Sequence, residues 1–197
     1  MEKKSKAPGE LIYGIHPLIE VLKAKRRKVI SIYTTRPTPK AWNKIEELLP
    51  ERGVPIQYVS RDVLTNMAKT ADHQGVVAWV QLFPFRSKAF DPIKHPFLVL
   101  LDGIQDPRNV GAILRSAYCT GATGVILSQK FAAPLNAAAL KASAGLAEHL
   151  EIMIAQSAPS AVQNVKAAGY NLYLAAFGGK NALEVDYQTP LCLVIGS

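Results

Sequence analysis

Arg108, Asn109 and Arg115 are the residues of this sequence whose types and spacing point most directly to chemistry. They lie in the stretch Leu101-Asp102-Gly103-Ile104-Gln105-Asp106-Pro107-Arg108-Asn109-Val110-Gly111-Ala112-Ile113-Leu114-Arg115, which follows the apolar run Phe97 to Leu101. An amide and two guanidinium groups at the start and along one side of a helix, just beyond a buried strand, suit an active site at the carboxyl edge of a sheet. A guanidinium stays charged in ordinary settings, so it serves as a base only in an unusual environment.

The helix that must position these groups can be read from local rules. Asp106 is a suitable N-cap, and Pro107 fits the first helical position, where its missing N–H costs nothing. At about 100° per residue, Val110, Ile113, Leu114 and Ala117 share one face, with Tyr118 at its edge. Arg108 and Arg115 project from the opposite face with Ala112 between them, and Asn109 and Ser116 flank that pair. Gly111 and Ala112 leave room for another backbone or a ligand. The bland reading is an amphipathic helix with a solvated face. Against it stand the Gly, the Asn at the helix start and the position after a buried strand.

The surrounding elements form two α/β modules. In the first, strands are expected at Leu11–Gly14, Val29–Tyr33, Ile56–Val59 and Gly75–Val80, with helices at Pro17–Ala24, Pro39–Leu49 and Arg61–Ala68. This alternation implies a small α/β sandwich over 11–82 with a largely buried sheet. Residues 83–96 hold three prolines, several charges and no clear period, and read as a linker. In the second module, over 97–197, strands are expected at Phe97–Leu101, Gly124–Leu127, Leu150–Ile154, Asn171–Ala175 and Leu191–Ile195. Helices are expected at Pro107–Thr120, Asn136–Ala144 and Ser157–Ala168. The fold class is α/β, the second module being an open parallel sheet whose ligands belong beyond the carboxyl ends of its strands. The loops carrying Asn109, Phe177-Gly178-Gly179 and Gly196 fall at that edge.

Charge separates the modules. The net charge is +8 over 197 residues, and all of the excess lies before Phe97: 17 Lys and Arg against 9 Asp and Glu up to Pro96, then 6 against 6. Lys23, Lys25, Arg26, Arg27 and Lys28 form the densest cluster, and Lys3, Lys4 and Lys6 add to a basic, flexible tail over 1–10. A basic module joined to a neutral one suggests that the first recognises a polyanion and the second does something else. A solvated basic turn that aids solubility is the alternative. A hydrophobic fraction of 49% is ample for real cores. No apolar run is long enough for a transmembrane span and no secretory h-region follows the N-terminus. Cys119 and Cys192 lack metal-ligand spacing and read as buried free thiols of a reducing cytoplasm. The four histidines are scattered, so no metal is expected. No G-x-G-x-x-G or P-loop follows any strand, which disfavours a nucleotide-dependent oxidoreductase.

The stretch Leu101 to Arg115 resembles the first motif of the SpoU-type branch of the SPOUT RNA methyltransferases. Gly124-Val125-Ile126-Leu127, Lys141-Ala142-Ser143-Ala144-Gly145-Leu146-Ala147-Glu148 and Val194-Ile195-Gly196-Ser197 match later parts of the pattern. Tyr13-Gly14-Ile15-His16-Pro17-Leu18-Ile19-Glu20-Val21-Leu22 and His73-Gln74-Gly75-Val76-Val77-Ala78 fit the family's accessory domain. The arrangement is similar to the subgroup that methylates a guanosine ribose of large-subunit ribosomal RNA.

The resemblance implies methyl transfer from S-adenosylmethionine to a ribose 2′-hydroxyl, an RNA-gripping accessory domain, and an α/β-knot catalytic domain working as a homodimer. It matches Arg115 to the catalytic Arg, Asn109 to the active-site Asn, and Gly196 to a glycine bordering the cofactor. Ile195, Phe177 and Gly178 join the expected cofactor side. His16, Lys25, Arg26, Arg27, Lys28 and Arg108 join the expected RNA side. A ribose hydroxyl is a poor nucleophile at neutral pH. Rate must come from deprotonation, alignment with the S–CH₃ bond or stabilisation of the developing oxyanion. Arg115 is therefore expected to act electrostatically and to position phosphate, with Asn109 orienting the ribose.

Arg108 is either a phosphate contact or a surface residue. His16 and His73 read as capping or packing residues ahead of RNA contacts. Phe177 reads as a core aromatic ahead of a cofactor neighbour, and Ser143 and Glu148 as local hydrogen-bonding residues. The resemblance points to ribosomal RNA as the target, with tRNA as an alternative, and a binding protein that has lost catalysis is the alternative function. In the family the second motif continues into an acidic residue and more glycine, and a third motif forms the knot and much of the cofactor pocket. A molecule ending at Ser197 is expected to lack a closed knot, to leave its last strand uncovered and to bind the cofactor weakly. Otherwise the sequence is part of a longer protein.

Overall fold

The computed structural model describes residues 9–196. The expected basic tail lies outside them except for Gly9 and Glu10, which instead open the first strand. The chain divides into two units, Met1–Pro84 and Phe85–Ser197.

In the first unit the alternating apolar runs form β1 (Gly9–Tyr13), α1 (Ile15–Ala24), β2 (Val29–Thr34), α2 (Trp42–Glu46), β3 (Ile56–Tyr58), α3 (Arg61–Ala68) and β4 (Val76–Gln81). The strands make a mixed sheet in the order β1-β4-β2-β3, with β4 antiparallel to both neighbours and β3 parallel to β2. Ile12, Ile32, Val76 and Val80 of the sheet are buried, as are Leu18, Ile45 and Leu64 of the helices. Helix α2 is shorter than the expected Pro39–Leu49. Trp42 N donates to Pro39 O at 2.9 Å, Leu48 N to Ile45 O at 3.0 Å and Leu49 N to Glu46 O at 3.2 Å. Such three-residue spacings tighten a helix at both ends, and only the middle keeps the wider α spacing.

The second unit contains β5 (Phe97–Asp102), α4 (Pro107–Cys119), β6 (Gly124–Ser128), α5 (Ala137–Ala142), β7 (Ile152–Ala155), α6 (Ala158–Ala167), β8 (Asn171–Ala175) and β9 (Leu191–Gly196). Its five strands are all parallel, in the order β7-β6-β5-β9-β8. Leu98, Leu100, Ile126 and Cys192 pack with Ala158, Ala161 and Val165 of α6. The alternate residues Val99, Leu101, Val125 and Leu127 are buried too, so the middle of the sheet is covered on both faces, as parallel pairing requires. Helix α5 stops short of the expected Ala144 because Ala144 and Gly145 adopt positive φ of 54° and 84°, which a helix cannot continue through.

Helices α4 and α5 meet at Gly111. A Cβ built there would lie 2.2 Å from Ala139 O and 2.6 Å from the Ala142 Cβ. The small residue therefore serves a helix contact, and Gly111 sits on the buried face of α4.

Residues 85–96 of the stretch read as a linker pack into the second unit. Phe90 is buried in the core with Leu98 and Leu100, and a Cβ on Gly124 would come within 2.4 Å of its ring. Arg86 N donates to Ile152 O at 2.7 Å, and its guanidinium pairs with Glu151 and donates to the carbonyls of Lys88 and Ala89. Three prolines masked this packing in the sequence, because the segment makes its contacts without a repeating pattern.

Candidate active site

Strand β5 delivers the chain to the carboxyl edge of the sheet and α4 begins five residues beyond it. The Asp106 side chain accepts from Arg108 N at 2.8 Å, and Pro107 occupies the first turn, so the helix starts as local rules dictate. Val110, Leu114 and Ala117 are buried, while Arg108, Asn109, Ala112, Arg115 and Ser116 are exposed. Asn109 and Arg115 are about 9 Å apart along the axis and about 120° apart around it. A helical Cα–Cβ bond tilts toward the N-terminus, so the longer Arg115 side chain can lean back toward the Asn109 turn.

The sheet has its topological switch between β5 and β9. From β5 the chain moves out through α4 to β6 and β7, then α6 carries it to the opposite edge strand, β8. Ligands of open parallel sheets bind in the crevice at such a point. There Gly196 pairs in register with Asp102, and Ile195 lies between Leu101 and Ala175. Ile195 is half-buried and Gly196 exposed. Gly178 has φ of +77° in the loop after β8, and neighbouring Phe177 is 108% exposed. Phe177 is thus no core aromatic, contrary to the leading expectation: its loop lies beyond the layer that α6 covers.

Two polar groups at this edge escaped the sequence reading. Ser128 Oγ donates to Asp102 Oδ1 at 3.1 Å and accepts from Gly103 N at 3.4 Å. Their signal was a polar residue closing each of two adjacent apolar strands, Leu98–Asp102 and Val125–Ser128.

In the first unit the expected RNA residues do not form one patch. His16 is exposed at the start of α1, beyond the end of β1, whereas Lys25, Arg26 and Lys28 are exposed at the opposite end of the sheet. Arg27 departs from the expectation of an RNA contact. It is 5% exposed, pairs with Glu10, donates to Gln81 O at 3.0 Å and lies over the Phe83 ring at 5.3 Å. Inside a basic run it is the residue turned inward to tie β1 to β4. His73 is fully buried; its Nδ1 accepts from Gly75 N at 3.0 Å, so Nε2 carries the proton of the neutral ring and donates to Thr65 Oγ1 at 3.1 Å. This is the packing role expected. Ser143 is buried and donates to Leu140 O at 2.9 Å, again a local bond.

Of the two thiols read as buried, only Cys192 is; Cys119 is exposed near the end of α4. Burial pushes the Cys192 thiol up to about 12, which keeps it protonated and unreactive. Among the described residues no group of three or more His, Cys, Asp and Glu side chains could hold a metal ion, and no helix is long and apolar enough to cross a membrane.

A basic α/β unit is thus followed in the chain by a unit built on an open parallel sheet, with Asn109 and Arg115 exposed on the helix after its central strand. The sequence model of the SpoU rRNA Methylase family matches residues 96–197, and that for RNA 2′-O ribose methyltransferase substrate binding matches residues 11–85. The chain therefore belongs to the SpoU rRNA methylase family, enzymes that methylate RNA ribose 2′-hydroxyls with S-adenosylmethionine as donor.

It is 31% identical over 95% of its length, and 78% of the other chain, to YacO of Bacillus subtilis (strain 168), whose name assigns it to the TrmH family of tRNA/rRNA methyltransferases. It is 30% identical over 96% of its length, and 80% of the other chain, to the 23S rRNA (guanosine-2′-O-)-methyltransferase RlmB of Haemophilus influenzae. The fold matches the SpoU methyltransferase AviRb from Streptomyces viridochromogenes in complex with AdoMet. The TM-score is 0.72 at 25% identity, covering 94% of this chain and 72% of the other.

At this carboxyl edge Gly196 stands exposed beside Asp102 and Ile195 is half-buried, and the Asp102 carboxylate, which accepts from Ser128 Oγ on the β6 side, is of the charge that complements a sulfonium.

Proposed function

We propose that the chain methylates the ribose 2′-hydroxyl of a guanosine in large-subunit ribosomal RNA. Residues 11–82 grip the RNA and residues 97–197 carry the reaction. The observation that supports this reading is the exposed Asn109–Arg115 side of α4, rooted at the switch point that also holds Gly196. Bound S-adenosylmethionine supplies an electrophilic methyl group. The Asn109 amide orients the ribose, and the Arg115 fork holds the adjacent phosphate while its charge stabilises the 2′-oxygen as its proton passes to solvent water. Arg108, one helical line from Arg115, extends the phosphate contact. Gly196, Ile195, Phe177 and Gly178 border the donor. His16, Lys25, Arg26 and Lys28 hold RNA outside the reacting nucleotide. The enzyme works as a cytoplasmic homodimer, a reading supported by the family resemblance and by the free thiols.

Arg115→Lys keeps the charge and loses the fork. Single-turnover methyl transfer to 23S RNA fragments should fall about a hundredfold, with S-adenosylmethionine still binding at roughly micromolar Kd, about 8 kcal/mol by calorimetry. A near-normal rate in that variant would overturn the assignment of Arg115. Absence of donor binding by the wild-type chain would favour an RNA-binding protein without catalysis. Preferential methylation of tRNA would overturn the ribosomal target.

A further inference from the structure

Edge strand β3 ends in an exposed tyrosine. Tyr58 is 44% exposed, and the Arg36 guanidinium carbon lies 4.0 Å from its ring centroid. Arg36 is itself exposed. The two are brought together by parallel pairing: Thr34 at the end of β2 is in register with Tyr58, and Val59 N donates to Thr34 O at 2.9 Å.

The loop that carries Arg36 is held in place. Thr34 Oγ1 donates to Gly75 O at 2.8 Å within the core, and Thr35 Oγ1 donates to Pro37 O at 2.9 Å. Pro39 closes over Gly75, where a Cβ would lie 2.9 Å from its ring. A flexible arginine normally loses side-chain freedom when it stacks on a ligand. Here the ring below it and the anchored loop have already restricted it.

We propose that Arg36 and Tyr58 form a stacking platform for one unpaired nucleobase of the RNA substrate. The base lies on the guanidinium face turned away from the Tyr58 ring. This rests on the reading that the first unit binds RNA, and it adds a site that the basic cluster cannot supply. Lys25 and Lys28 are point charges suited to phosphate, at the other end of the sheet. A planar cation backed by an aromatic ring suits a base that has left its helix. The platform selects RNA with an unpaired nucleotide beside the gripped segment over continuous duplex.

The test uses the full chain and a hairpin RNA with one 2-aminopurine in its single-stranded loop. Wild-type protein is expected to change the 2-aminopurine fluorescence on binding and to prefer the hairpin to a duplex of equal length. Tyr58→Ala should weaken hairpin binding roughly tenfold, the range of one stacked base, and abolish the fluorescence change without altering the salt dependence of the residual binding. Arg36→Lys should lose the fluorescence change as well, because charge alone does not make a plane, whereas Tyr58→Phe should behave as wild type. Circular dichroism of each variant separates these effects from unfolding. Unchanged hairpin affinity and fluorescence in folded Tyr58→Ala, with wild type binding normally, would overturn the platform and leave the RNA reading intact. Failure of wild type to bind either RNA would overturn both.

Discussion

A single basic run in this protein contains residues with opposite jobs. Lys25 and Lys28 are exposed, while Arg27 between them is turned inward onto Glu10, Gln81 O and the Phe83 ring. Removing the Arg27 side chain leaves partly buried acceptors without their cation, so Arg27→Ala should cost about 2 kcal/mol in urea denaturation. Lys25→Ala and Lys28→Ala should leave the urea midpoint unchanged, and each should lower the log-log salt slope of RNA binding by about one. An unchanged midpoint for Arg27→Ala would contradict this tying role. The sequence alone could mark this run as basic but could not sort it. Strand-to-loop geometry decides which of five neighbouring cations points inward. For the same reason it could not distinguish exposed Cys119 from buried Cys192, or see that Phe177 lies outside the core. By contrast, the Asp106 cap and the exposed Arg108, Asn109 and Arg115 follow from helical spacing and were legible.

At the scale of elements, the contact of α4 with α5 is the one that a single atom can disturb. Gly111→Ala would force its new methyl group to within 2.2 Å of Ala139 O, which is backbone and cannot swing aside. The helices must separate, at a cost of about 1–3 kcal/mol, and the Asn109–Arg115 face moves with α4. We expect a lower thermal midpoint together with a reduced methyl-transfer rate; a stable, fully active Gly111→Ala protein would contradict this close approach. Element positions were the most readable part of the chain. The bounds of α3 and β8 follow directly from their periodic runs, with Ser60 capping α3 by accepting from Val63 N at 3.4 Å. Two of the errors fall where periodicity continues but backbone geometry changes, in the tight turns around α2 and at the positive φ of Ala144. Apolar spacing reports which face is buried and does not report hydrogen-bond spacing.

For the molecule as a whole, alkaline pH is the condition that should weaken the fold. Tyr170 and Cys192 belong to one core. Burial, with the charge of Asp91 adding to it, raises the Tyr170 hydroxyl from 10.0 to about 12, and burial raises the Cys192 thiol from 9.0 to about 12. Tyr170 also donates its proton to His95 O at 2.8 Å. The folded chain keeps both protons where the unfolded chain gives them up, so their stabilisation is complete below about pH 9 and is lost as pH rises toward 12. The urea midpoint should fall between pH 8.5 and roughly pH 11, and the fall should be smaller in Tyr170→Phe.

The parallel sheet was legible as a class, but its order was not, because strand order is set by crossovers that leave no local pattern. That order has a consequence for how the molecule is made. β5 leaves the ribosome first among the five strands, yet it lies at the centre and must hold one side open for β9, through Phe97 opposite Leu191. Until β9 emerges, the strand that leads into the Asn109 helix lacks one of its two neighbours. Long-range pairing of this kind slows folding and prolongs exposure of apolar edges. The carboxyl edge that carries the Asn109 helix is therefore expected to acquire its shape only once β9 has been made, well after the first unit has folded.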